Sequence, residues 1–175
     1  MLTERTLQVF FVGKDEGPIA PSRPQSEAMG ESTMKKASLD EIAREAAFLW
    51  VPQYLPTDFM LTSSLWNRNP DVVELTYRNV RSTLQVPILI ISEFRKARLS
   101  LVDGYSESVA IKGRDGFMVH GGWVQHIGDS VRWVTEGIKR AICDLGDGVA
   151  MLTSFGQDQP DDSTLVRIAE SLERY

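Results

Sequence analysis

The chain has 175 residues, 42% hydrophobic and 25% charged, with a formal net charge of -5 and a pI of about 5.1. This composition fits one globular domain with a tail, and the acidic balance argues against nucleic acid as the main partner. A single cysteine, Cys143, excludes an internal disulfide framework. No apolar run reaches the roughly 18 residues of a membrane span, and the start lacks the charged, apolar and small-residue succession of a signal peptide.

Thr6–Val12 reads as a strand or an anchoring segment. From Gly13 to Lys36 large apolar side chains are scarce and Pro18, Pro21, Pro24, Gly17 and Gly30 accumulate, which predicts a mobile linker. The expected division is therefore 1–37 as an N-terminal strand and linker, largely mobile, and 38–175 as a single domain. Ser38 with Glu41 three residues later forms a capping box, and Asp40 and Glu41 suit the positive end of a helix. Leu39, Ile42, Ala43 and Ala46 follow at i, i+3, i+4 and i+7, so one stripe faces a core. Val51 precedes Pro52 and is pushed out of the helical region, which ends this helix near Phe48 to Trp50. Pro52 and Pro56 then keep the chain extended into a first strand, Phe59–Leu65.

From Phe59 the period is two. Asn67–Asp71 turns, and Val73, Leu75 and Tyr77 alternate with polar neighbours as in a half-buried strand. Leu84, Val86, Ile88 and Ile90 alternate again, with Pro87 arguing for an edge or a bulge. Leu89 and Ile91 make both faces of that strand apolar, which implies cover on the second face. Val109 and Ile111 lead to a Gly-rich turn at Lys112–Gly116. Phe117–His126 is extended but interrupted by Gly121–Gly122, a bulge signal. Val131–Val134 is a strand, Ile138–Cys143 reads as strand or helical turn, and Val149–Phe155 is the last strand. Asp162 or Ser163 is the expected N-cap of a final helix with Leu165, Ile168, Ala169 and Leu172 on its buried stripe. The fold class read from this order is α+β: a curved antiparallel sheet of about six to seven strands with an N-terminal and a C-terminal helix on one face.

Chemistry is sparse. His120, His126 and Cys143 fall short of the four ligands of a tetrahedral zinc site, so solvated or hydrogen-bonded histidines and a small core cysteine are the better reading. Gly113–Gly116 lacks a phosphate-loop pattern, and Asp158, Asp161 and Asp162 lack calcium-loop spacing. No catalytic, cofactor-binding or metal residues are assigned, and no cofactor is expected. Two sites remain. A groove between helices and sheet would be lined by Ile42, Tyr77, Ile168 and Leu172. A basic patch of Arg95, Lys96 and Arg98, near Arg78 and Arg81, is either a solvated hairpin end or a contact for anionic headgroups or an acidic partner. The tryptophans Trp50, Trp66, Trp123 and Trp133 are expected to be mostly core, Trp133 in particular.

Ser38–Ala43, Phe48, the run Val51–Pro56, Val73–Tyr77, Trp133 and Leu165–Leu172 together resemble a bacterial domain of unknown function. That domain is found at the extracytoplasmic C-terminal end of some anti-sigma factors and in secreted or lipid-anchored proteins. The resemblance spans roughly Ser38 to Leu172, and Thr6–Val12 resembles the segment that follows the membrane span in such anti-sigma factors. Ile138–Gly148 looks like an insertion relative to the family. The membrane span and the sigma-binding helices are not in this chain, so sigma-factor binding does not carry over. The resemblance implies a non-enzymatic, envelope-side sensory or binding module, distantly similar to periplasmic lipoprotein-carrier folds. Its partner would be a protein or an apolar ligand, with membrane proximity through a segment absent from this chain. The alternative is a soluble intracellular protein-interaction domain on the same fold.

Overall fold

The computed structural model describes residues 34–46, 48–68, 71–82, 89–95, 106–124, 132–156 and 158–175. The Thr6–Val12 segment and nearly all of the expected linker lie outside them, as do Lys96, Arg98 and His126. Strand β1 is only Lys35–Lys36, and it already pairs with Leu65 and Trp66. Helix α1 spans Leu39–Ala46. Its capping box is made: the Ser38 N–H donates to Glu41 Oε2 at 2.7 Å, and the Glu41 N–H donates to Ser38 Oγ at 3.3 Å. Ile42 and Ala46 are buried, with Leu39 and Ala43 packed against the same core.

The remaining elements are β2 (Trp50–Pro52), β3 (Phe59–Arg68), β4 (Asp71–Asn79), β5 (Leu89–Arg95), β6 (Ser106–Ile111), β7 (Arg114–Val124), β8 (Arg132–Asp144), β9 (Gly148–Phe155), α2 (Asp162–Glu170) and β10 (Leu172–Arg174). An open antiparallel sheet of eight strands runs β1-β3-β4-β5-β9-β8-β7-β6, and β10 pairs with β2 in a separate ribbon. The molecule is thus dominated by antiparallel sheet, with two helices. The sheet has eight strands where about six to seven are expected, and of the strand expected over Leu84–Ile90 only Leu89 and Ile90 lie among the described residues. One of the eight is β1, whose two lysines are too short to show a period. Two meanders, β3–β4–β5 and β6–β7–β8–β9, are joined by the β5–β9 pair at the centre.

Ile138–Cys143 is strand and not a helical turn. It continues the strand that begins at Arg132, and β8 is one element of 13 residues. The apparent interruption is a bulge. His120 pairs with Lys139 and Gly122 with Val134, so Thr135–Ile138 all lie opposite Gly121 alone. Positive φ at Gly121 and Gly137, +103° and +74°, accommodates the excess, which an L side chain would resist. The N-cap of α2 is Asp161, one residue before the expected pair, and its carboxylate accepts from the Thr164 N–H at 2.7 Å. Ser171 caps the other end, so Leu172 belongs to β10 and not to the helix.

Register aligns the side chains of one face in rows across the sheet. One row is Trp66, Val73, Glu93, Ala150 and Cys143; a second is Leu75, Ile91, Leu152, Ala141 and Met118; a third is Tyr77, Leu89, Ser154, Lys139 and His120. The apolar members of the first two rows, with Tyr77 and Leu89, share one continuous buried cluster with Ile42 and Ala46 of α1 and Leu165, Ile168 and Ala169 of α2. The opposite phase carries a second, smaller cluster of Val119, Ile142, Val149 and Met151, with Phe94 and Trp133 against it. Trp133 is half-buried there rather than fully enclosed.

Candidate functional site

The four residues expected to line a groove are core. Ile42 and Ile168 have no exposed surface, Leu172 is 1% exposed and Tyr77 4%. All four pack in the cluster that joins helices to sheet. Leu172 alone borders open space, a recess of about 120 Å³ between the β2–β10 ribbon and the sheet. From the ribbon and α2 its walls are Trp50, Ala169 and Leu172, from the sheet Ile111 and Cys143, and from the β8–β9 turn Leu145. Lys112 and Arg114 also border it, and the Lys112 ammonium donates to the Leu172 carbonyl at 3.1 Å. This volume is below the 300–1,000 Å³ typical of small-molecule sites.

Glu93 sits beside that ribbon with no exposed surface, in the first row of the core face. Its Oε2 accepts from the Trp50 N–H at 3.0 Å, while Oε1 has no partner among the described residues. Burial pushes the carboxyl up to about 8; the Trp50 N–H opposes the rise and the charge of Asp147 adds to it. Tyr77 and Cys143 are raised in the same way, by burial first and to a lesser degree by Glu93 itself, Cys143 to about 12. Cys143 is a free cysteine buried in the core cluster.

His120 comes together with Asp162 rather than with Cys143. His120 Nε2 lies 2.8 Å from Asp162 Oδ2, and Lys139 Nζ lies 2.8 Å from Oδ1. Hydrogen bonding from Lys139, and then from His120, holds the Asp162 carboxyl below its ordinary value. The cluster pins the first turn of α2 to β7 and β8. Asp158 is 3.4 Å from Ser82, so the three aspartates take separate tasks. Of the basic patch, Arg95 is exposed, 3.6 Å from Asp71 and 6.0 Å over the Phe48 ring. Arg81 pairs with Asp58 at 2.9 Å.

Glu93 and Arg140 are the functional-looking groups that sequence reasoning passed over. Each carried a signal. Glu93 follows Leu89 and Ile91 at i+4 and i+2, and Arg140 stands between Ile138 and Ile142, so each charge falls in phase with buried residues of its strand. Arg140 is 8% exposed, and its Nη1 donates to the Gly121 carbonyl.

Compared with protein-family models, curated proteins and solved structures, the chain gives no match. Among the described residues no helix is long and apolar enough to cross a membrane, and no group of His, Cys, Asp and Glu is placed to hold a metal ion.

Proposed function

We propose that this chain is a non-enzymatic binding module that engages a protein partner on its outer surface. We assign it to an extracytoplasmic, envelope-associated regulatory setting, like the C-terminal domain of the anti-sigma factors it resembles. In this reading the scaffold is an α+β arrangement with both helices covering one sheet face. The observation that carries it is the contrast between closed core and exposed corner. Ile42, Tyr77, Ile168 and Leu172 are packed in the core, and the recess that Leu172 borders is only about 120 Å³. Large apolar side chains surface instead at one end of β3 and β4: Met60 is 58% exposed, Val80 60% and Leu61 38%. Met60 is paired with Arg78, and the Val80 N–H is tied to the Asp58 carbonyl, so these residues share one corner. Beyond Ser64 the edge of β3 toward β1 carries no further strand among the described residues. Exposed apolar side chains at a sheet edge are a common basis for protein contact.

The polar clusters support a binding role in a second way. Asp162, His120 and Lys139 join helix to sheet, and Glu93 joins ribbon to sheet, so these groups are spent on structure. The test is a photo-reactive residue introduced at Met60 or Val80 in cells, with Glu107 as a distant control. A discrete adduct from the first two positions but not the third is expected; equal labelling at all three refutes the corner. An export-dependent reporter fused after Tyr175 in the native gene is expected to be active. An inactive reporter overturns the extracytoplasmic assignment and leaves the intracellular interaction domain.

A further inference from the structure

We infer that Glu93 is a proton-operated latch that keeps the β2–β10 ribbon shut on the sheet. The inference is independent of the proposed setting. The ribbon is three residues long on each strand, and its own pairing leaves the Trp50 N–H to Glu93. So short a ribbon is marginal by itself and depends on what it packs against. It is also where the two helices are tied together. The chain enters β2 shortly after α1 and enters β10 directly from α2, the Tyr175 N–H donates to the Leu49 carbonyl at 2.9 Å, and the Gln53 N–H to the Ser171 carbonyl at 3.0 Å. Under it lies the recess lined by Trp50, Leu172 and Cys143.

With a proton on it, the Glu93 carboxyl accepts from Trp50 and adds no charge to the core. Without the proton, it is an anion holding a single N–H, with no cation paired to it among the described residues. The Trp50 N–H apart, the charge that acts on it makes that worse, and the Lys112 ammonium at the recess is directed to the Leu172 carbonyl. Asp147, in the turn before β9, is negative; Tyr77 of β4 and Cys143 of β8 are buried and neutral. Arg174 of β10 stands opposite Trp50 in register, but its guanidinium is 3.9 Å from Asp147. Arg95, on the same strand as Glu93, is directed to Asp71 and Phe48, and Arg114 to the Asp144 carbonyl. The available relief is water, and the shortest way to it is to lift Trp50 with the ribbon.

The experiment is amide exchange on the whole chain, expressed as protection factors so that the intrinsic pH dependence is removed. Between pH 6.5 and 9.5 the Gln53 and Tyr175 amides should lose more than tenfold protection, and at every pH they should exchange faster than Leu152 and Ala141 in the sheet. In Glu93→Gln, which retains an acceptor for Trp50 without a titrating group, ribbon protection should stay flat. Flat protection in the unaltered chain, or the same loss in Glu93→Gln, overturns the latch. If the variant does not fold, the carboxyl carbon of Glu93 is followed directly in the unaltered chain. A midpoint near the 8 expected from its burial supports the latch, and one below 5 overturns it.

Discussion

Replacing Glu93 by glutamine should stabilise the protein in alkaline solution and remove much of its pH dependence of folding. In the folded chain the carboxyl titrates near 8, against an ordinary value of 4.5. Because the folded value is raised, the folded state binds more protons than the unfolded one between those limits. Stability is therefore full below the unfolded value and is lost as pH rises toward the folded one. For one group the loss between pH 5 and pH 9 is about 4 kcal/mol, with roughly two-thirds of it complete by pH 7. Opening of the ribbon sets a ceiling, since a carboxylate that reaches water stops incurring the burial penalty, so the observed loss is expected at about 2–4 kcal/mol. Urea unfolding followed by circular dichroism at intervals from pH 5 to 9 measures it. Glu93→Gln should match the parent to within about 1 kcal/mol at pH 5 and exceed it by about 2–4 kcal/mol at pH 9. Parallel curves for the two proteins would refute the reasoning, because the slope would then come from other groups. At the acid end Asp162 works in the opposite sense. Its carboxyl is held low by Lys139 and His120, so its contribution is present above the unfolded value and fades as pH falls. The optimum for the parent should therefore lie close to pH 5.

Gly121→Ala should be among the most damaging small substitutions, at more than about 2 kcal/mol, because a Cβ at φ +103° would run into the Val134 carbonyl and the Trp133 indole. Gly113→Ala, at φ +73° with nothing within 4 Å, should cost only about 1 kcal/mol of backbone strain, and equal losses from thermal unfolding of the two would remove the packing argument. Trp133→Ala should cost about 1–3 kcal/mol rather than the 3–5 of a fully buried tryptophan, since the ring is half-buried against Val119, Ile142, Val149 and Met151; a loss above 4 in urea unfolding would place it in a closed core.

What was legible in the sequence was local. The capping box at Ser38 and Glu41, the α1 stripe and the alternation of Val73, Leu75 and Tyr77 each involve residues within a turn or a strand of one another, and each is present in the fold. The Gly121–Gly122 bulge was legible as well, because glycine in a strand has few other uses. Long-range joins were not. Nothing near Leu89 indicates that β5 will pair with β9 about sixty residues on. β8 read as two pieces because its bulge breaks the period of two between Val134 and Ile138, though the strand continues through it. Leu172 reads as helical because its spacing from Leu165 fits a helical stripe as well as it fits the first position of a strand packed on the same core. Ile42, Tyr77, Ile168 and Leu172 do converge, in one buried cluster, and side chains packed together in this way fill the space between their elements.

The two buried ionisable groups share a logic that separates them functionally. Each meets a main-chain group that the sheet does not use. The Trp50 N–H is left over by the β2–β10 ribbon, and Glu93 accepts from it. The Gly121 carbonyl stands where four residues of β8 face one of β7, and Arg140 donates to it. A buried N–H or carbonyl without a partner is costly, so an acceptor at one place and a donor at the other stabilise geometry that the ladder alone would not support. Gly122 belongs to the same device, since a Cβ there would lie 2.7 Å from the guanidinium. The chemistry then diverges. Burial lowers the Arg140 value, but a guanidinium starts so high that it keeps its charge through the physiological range, and the bulge it holds is fixed. A carboxyl starts low, and burial carries it into that range. Of the two supports, only the one beneath the ribbon can be withdrawn by a change in pH.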